Sequence, residues 1–249
     1  HFFVDHRGFM TAEEFRQNEV GIWEEIAEEI SANPSAAYVA SSEGIYQMCV
    51  GDRPTIQRFH DRLHDVFDKV VIILYLRNQV DLIKSLYAQR VKGSGRYGKS
   101  FSRFVRDLNE IRPVWDYAST AAAWADIFGA DTQVALFDKA ALKDGNLLSD
   151  FASRIGIRNE MSHTQSRHNV SPGFRYLTLL RNLNAMGLSE GVAKKIASRV
   201  FPGDTSPFPQ KFDGAVLALV SEGNEIVNER FFAQGPYLPT RAASGVNPK

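Results

Sequence analysis

Cysteine is almost missing from this sequence: one residue, Cys49, in 249. A lone cysteine excludes an intramolecular disulfide and argues against a zinc cage. It points to a reducing compartment. No apolar run approaches the roughly 20 residues that cross a bilayer, so no membrane span is expected. The N-terminus, HFFVDHRGF, has no basic head and apolar core and so lacks the build of a signal peptide. Net charge is also missing, with 29 Lys and Arg against 29 Asp and Glu. There is therefore no global attraction to nucleic acid or to an anionic membrane. No repeat and no low-complexity block interrupts the chain. What remains is ordinary for a globular protein, with 44% hydrophobic and 23% charged residues.

The most informative stretch is Val70 to Tyr87, VVIILYLRNQVDLIKSLY. Its continuous β-branched opening predicts a strand buried on both faces, as in a parallel sheet. Arg77 stands where that strand ends. Asn78 is an N-cap for a following helix, and Asp81 lies in the first turn, where the dipole favours a carboxylate. Leu82, Ile83, Leu86 and Tyr87 form the apolar stripe. Ser85 falls on the opposite side with Asn78, Asp81 and Gln89. A guanidinium and a hydroxyl are thus delivered to the carboxyl edge of a sheet, where open α/β folds bind ligands. The planar fork of an arginine suits phosphate or carboxylate there.

The other elements follow from caps and periodicity. Thr11 and Glu14 form a capping-box pattern for a helix to about Ile30. Ala36 to Ala40 is a candidate strand, ending in Ser41, Ser42, Glu43 and Gly44. Helices are expected from Pro54, over Phe101–Ile111, over Tyr117–Phe128 with Gly129 as C-cap, and over Asn146–Ile155. Thr132 to Phe137 is a third strand. Residues 159–170 form a polar loop. Three more helices are expected: from Ser171 and Pro172 to near Gly187, from Ser189 to Phe201, and from about Asp213 to Phe232. Residues 236–249 are expected to be an unstructured tail. Strands alternating with helices predict an α/β fold with a parallel sheet flanked by helices and a helix-rich C-terminal part. Residues 1–235 form a single domain on this reading. Three strands are few for this length, and the chain opens abruptly on an aromatic pair. A fold missing its first βα unit is the expectation.

Gly93 to Ser100, GSGRYGKS, matches the nucleotide-binding pattern G-x-x-x-x-G-K-[ST] letter for letter. That loop works only between a strand and a helix N-terminus. Here the preceding residues, Val80 to Val91, have helical periodicity. A basic lip is the better expectation, with Arg90, Lys92, Arg96 and Lys99 facing an anionic or sugar substrate. A solvated, mobile loop is the plain alternative.

In one order, these segments resemble the PAPS-dependent sulfotransferase family, whose donor is 3′-phosphoadenosine 5′-phosphosulfate. The central strand and helix resemble the unit whose Arg and Ser hold the donor's 3′-phosphate. Tyr117, Trp124, Phe128 and Gly129 are similar to that family's Y…W…FG helix. TQVALFDKAAL (132–142) and FASRIGI (151–157) resemble the strand and helix ending that follow. Ser41 to Gly44 resembles its second strand tip, and Arg167 to Asn169 gives a weaker echo. The likeness covers about residues 36–157, and order and spacing carry it.

The resemblance implies a three-layer fold of the P-loop NTPase type and sulfuryl transfer from PAPS to a hydroxyl or amine of a carbohydrate or glycolipid, leaving 3′,5′-ADP, without a metal. It implies that Arg77 and Ser85 bind the 3′-phosphate. Arg167 would complete the cofactor site or hold an acidic acceptor. Glu43 is the first candidate for the general base, with His1 and His6 behind it. Trp124 and Phe128 are expected in the core. One departure stands out: the family's K-x-G-T-T-like 5′-phosphosulfate loop has no counterpart in residues 1–35. A chain that begins after that loop explains this; a non-catalytic glycan-binding relative is the alternative. A P-loop kinase or NTPase using Gly93–Ser100 is a third reading. Scarce cysteine and no anchor fit a bacterial cytoplasmic enzyme, associated with a membrane at most through its substrate.

Overall fold

The computed structural model describes residues 2–5, 8–33, 37–41, 52–108, 115–157 and 172–240, with side chains from Gly21 onward except Ile22. The chain begins with an antiparallel hairpin, β1 (Phe2–Asp5) and β2 (Gly8–Thr11), paired from Phe2↔Thr11 to Asp5↔Gly8. The sequence gives little sign of order there. Asp5 and Gly8 bracket His6-Arg7, not the Asn-Gly or Asp-Gly that usually announces a two-residue hairpin. Helix α1 (Ala12–Ala32) follows at once. The expected strand over 36–40 is not found: residues 37–40 are irregular and exposed. Tyr38 instead packs on the Phe67 ring at 5.8 Å and donates its hydroxyl to the Glu29 carbonyl at 3.0 Å. A five-residue apolar run is too short for periodicity to separate strand from coil.

Helix α2 (Arg53–His64) starts at Asp52, whose carboxylate accepts from the Thr55 N–H at 3.3 Å. Strand β3 (Ile72–Leu76), helix α3 (Gln79–Lys92) and the six-residue helix α4 (Phe101–Arg106) come next. Helix α5 (Tyr117–Phe128) is capped by Asp116 and ends at Gly129, which takes φ +59°. A short 3-10 turn leads into β4 (Thr132–Leu136). Helix α6 (Leu147–Arg154) is capped by Asn146. Helices α7 (Phe174–Ala185), α8 (Glu190–Val200) and α9 (Lys211–Phe231) complete the chain.

β3 and β4 pair in parallel, in register from Ile72↔Thr132 to Leu76↔Leu136. The chain is therefore α/β, with two parallel strands among the described residues. Leu74, Leu76, Val134 and Leu136 pack with Tyr117 and Ala121 of α5, Val227 of α9, and Leu238. A larger core joins α3, α4, α7, α8 and α9 through Ile83, Tyr87, Phe101, Leu177, Ala193 and Val216. Ile56 of α2 meets Trp124 and Phe128 of α5, the two aromatics expected in the core.

Two departures have long-range causes. Helix α7 receives no cap from its own Gly173. The 204–206 turn caps it instead. The Asp204 carboxylate accepts from the Tyr176 N–H at 2.9 Å, and Ser206 Oγ accepts from the Arg175 N–H at 3.0 Å. The turn lies so close that a Cβ on Gly173 would sit 2.3 Å from Asp204 Oδ2 and 2.4 Å from the Ser206 nitrogen. Gly173→Ala is expected to cost about 3 kcal/mol, the upper part of the range for overpacking. A lowered urea midpoint with unchanged slope checks this. An unaffected midpoint would mean that the turn moves away freely.

The second departure is at 236–240, where an unstructured tail was expected. Leu238 is buried, and its N–H and C=O both bond the Asn228 side chain, at 2.8 and 2.9 Å. Pro239 and Thr240 carbonyls accept from Asn224 and Ser221. These residues form a strap on α9. Residues 241–249 lie outside the described ones.

Candidate functional site

The carboxyl edge of the parallel pair carries Arg77, the first of the cofactor residues expected from the sequence. The ladder continues one step past the strands, where the Phe137 N–H donates to the Leu76 carbonyl at 2.8 Å. Arg77 and Phe137 are thereby neighbours on the rim, and both are exposed. Asn78 closes the turn as foreseen: its Oδ1 accepts from the Val80 N–H at 2.9 Å. Arg77 thus stands at the positive end of a 14-residue helix. Ser85 is half-buried on α3, seven residues beyond Asn78 on nearly the same stripe, about 10 Å along the axis. Neither the Arg77 guanidinium nor the Ser85 hydroxyl has a hydrogen-bond partner among the described residues.

The face behind the rim carries a polar cluster that sequence reading missed. Tyr75 donates its hydroxyl to Asp150 Oδ2 at 2.7 Å. Arg154 pairs with the same carboxylate, and its guanidinium lies 5.8 Å from the Tyr75 ring centre. The Lys143 N–H adds a bond to Asp150 Oδ1 at 3.2 Å. Burial, then the Asp150 contact, pushes the Tyr75 phenol up to about 12. Burial alone would raise the Asp150 carboxyl too. The bonds from Arg154, Tyr75 and Lys143 outweigh it and hold the group below its ordinary value. The cluster is thus a closed charge pair that fixes α6 behind β3. The signal in the sequence was the Asp150–Arg154 spacing of four, which suits a helical ion pair.

A depressed carboxyl stabilises the fold above its unfolded value near 3.9 and loses that contribution as pH falls through the folded one. Asp150→Asn is therefore expected to reduce stability at neutral pH. It should also flatten the decline below about pH 4, as read by urea midpoints from pH 7 to pH 3. An identical decline in both chains would show that Asp150 is not the titrating group.

The lip residues divide. Arg90 is exposed and Lys92 half-buried in the last turn of α3, and neither has a charge partner among the described residues. Arg96 takes φ +45° and donates to the Leu188 carbonyl at 2.7 Å, just past the end of α7. Its guanidinium anchors the loop. Lys99 approaches Asp107 at 3.5 Å, and the same Oδ2 accepts from Arg103 at 3.0 Å.

The loop is docked. Asn184 Nδ2 donates to the Val91 carbonyl at 2.9 Å, and Tyr97 packs among Tyr87 and Phe104. A Cβ on Gly98 would stand 3.0 Å from the Ala185 Cα. Ser100, the last residue of the nucleotide-like pattern, is the N-cap of α4, accepting from the Arg103 N–H at 3.2 Å. The pattern thus lies between two helices and lacks the strand that a phosphate nest requires. Its glycines serve a tight turn and a close approach.

Glu43, Arg167, His1 and His6 lie outside the described residues. Among the described residues no group of three or more His, Cys, Asp or Glu is placed to hold a metal, and no helix is long and apolar enough to cross a membrane. Compared with family models, curated proteins and solved structures, the chain finds no significant match.

Proposed function

We propose that this protein is a sulfotransferase that moves the sulfuryl group of PAPS to a hydroxyl or amine of a carbohydrate or glycolipid. The observation that supports this best is the rim: a guanidinium without a partner among the described residues, between a half-buried parallel strand and the head of a long helix. Arg77 and the α3 N-terminus together offer charge and N–H donors to a dianion. On this reading they hold the donor's 3′-phosphate, with Ser85 further along the same stripe. Phe137, beside Arg77, offers a flat face to the adenine, since aromatic rings stack on any base. The three-layer fold belongs to the same proposal, with β3 and β4 as strands of its sheet.

In the reaction the acceptor oxygen attacks sulfur in line with the departing phosphate oxygen. A new S–O bond forms as the S–O bond to the 5′-phosphate breaks. The acceptor proton passes to a base, for which Glu43 is the candidate, and 3′,5′-ADP leaves. The protein's contribution is positioning and charge neutralisation, and the proposal uses no metal. Acceptor contacts fall to Arg90, Lys92 and Lys99, and Arg167 would serve the cofactor or an acidic acceptor. A cytoplasmic site of action belongs to the same reading.

Titration calorimetry with 3′,5′-ADP and 5′-AMP tests this. The expected result is at least about tenfold tighter binding of 3′,5′-ADP, equal to the ~1.4 kcal/mol that a charge-assisted contact supplies. Equal binding of the two nucleotides would remove the 3′-phosphate site and the reading with it.

A further inference from the structure

Between Leu82 and Arg106 the sequence carries seven cations and no Asp or Glu, in a chain whose net charge is zero. The structure sorts these seven. Lys84 is bound to Asp213 at 2.7 Å, and Arg96 is held by the Leu188 carbonyl. Arg90, Lys92, Lys99, Arg103 and Arg106 remain, all but half-buried Lys92 exposed, with Asp107 the one carboxylate that contacts any of them among the described residues. They run from the last turn of α3, across the loop, onto α4. Arg103 and Arg106 are three apart and share one side of that helix.

We infer that this strip is a docking surface for a linear acidic polysaccharide, with Arg103 and Arg106 as binding residues beyond the loop. The backbone that carries the cations is already fixed, by Asn184 on Val91, by the Gly98–Ala185 contact and by the buried Tyr97 cluster. Little backbone order has to be gained on binding, which favours affinity. Several cations in a row suit a ligand with repeated carboxylates or sulfates; a single anion would leave most of them unused. The chemistry also separates polysaccharide from single-stranded nucleic acid. Nucleic-acid grooves interleave cations with exposed aromatics that stack bases. Here Phe101 and Phe104 are buried, and Tyr97 is half-buried with its ring turned to Tyr87 and Phe104. The role of the strip as the acceptor site rests on the sulfuryl-transfer reading; its role as a binding surface does not.

Alginate, a linear uronate polymer, is the probe, with neutral dextran and an oligo-thymidylate as comparisons. The whole chain is expected to bind alginate at about 0.15 M salt, more tightly as salt is lowered, and to ignore dextran. Arg103→Glu with Arg106→Glu should weaken alginate binding at least about tenfold and leave 3′,5′-ADP binding unchanged. The control pair Arg58→Glu and Arg62→Glu, exposed on α2, should change it less than about twofold. No alginate binding, an equal loss in the control pair, or tighter binding of the oligo-thymidylate would each overturn the inference. Alginate binding without 3′,5′-ADP binding would keep the surface and reject the sulfotransferase reading. The reverse would reject the surface alone.

Discussion

Arg77→Ala is expected to weaken 3′,5′-ADP binding by about 10- to 100-fold, because charge-assisted hydrogen bonds contribute roughly 1.5–3 kcal/mol. Binding of 5′-AMP should hardly change, since that nucleotide lacks the phosphate in question. The urea midpoint should also stay in place. Arg77 is exposed and no described residue pairs with it, so its removal leaves no buried group without a partner. Arg77→Lys should recover only part of the affinity, because an ammonium cannot reproduce two parallel donors. Phe137→Ala should behave differently and weaken both nucleotides alike, as loss of a stacking face does. Should Arg77→Ala lower the affinities of 3′,5′-ADP and 5′-AMP by one common factor, the guanidinium is not reading the 3′-phosphate.

The second large effect concerns Asn224, which is wholly buried inside α9. Its amide bonds Gln79 in the first turn of α3, accepting from Gln79 Nε2 and donating to Gln79 Oε1 at 3.2 Å. It also donates to the Pro239 carbonyl at 2.9 Å. One side chain therefore ties the helix that begins at the candidate site, the longest C-terminal helix and the strap. Asn224→Leu would leave the buried Gln79 amide and the half-buried Pro239 carbonyl without these partners. At about 1–3 kcal/mol per orphaned group, the expected loss is roughly 2–5 kcal/mol, read as a lower urea midpoint. Adding Gln79→Leu should recover part of it, since an apolar pair of similar shape needs no partner. If the double variant is as unstable as the single one, the amide pair is not what Asn224 contributes.

The same variant separates stability from function. Gln79 directly follows the Asn78 cap and stands two residues from Arg77. A chain with Asn224→Leu that still folds should retain the preference for 3′,5′-ADP over 5′-AMP, because the Asn78 cap that sets the turn is untouched.

How much of this was legible depends on the distance over which each feature is decided. The β3–α3 unit was readable because its signals are adjacent: a β-branched run, then Asn78, then a 3.6-residue stripe. Gly129 and Asn146 marked their boundaries for the same reason, through local φ requirements and side-chain bonds to the nearest N–H groups. The helical context that disqualifies GSGRYGKS as a nucleotide nest was also visible in sequence. The Asn228–Leu238 strap was not, because a short polar-looking tail has no period. The strand expected over 36–40 failed from the opposite cause, an apolar segment too brief to specify its own pairing.

Sequence alone determined that Arg77 follows a strand and heads a helix, that Ser85 lies on that helix's polar stripe, and that cations outnumber acids from Leu82 to Arg106. The burial of that strand on both faces, also expected, is not met, since only Leu76 of β3 is buried. Only the tertiary structure decided which of those cations are engaged, that Phe137 stands beside Arg77, that the 204–206 turn caps α7, and that Gln79 meets Asn224. The division is physical. Caps, periods and charge runs act through neighbours within a turn or two, whereas the pairings of Lys84, Arg96, Phe137, Asp204 and Gln79 join residues 28 to 145 positions apart and arise only when packing brings their elements into contact.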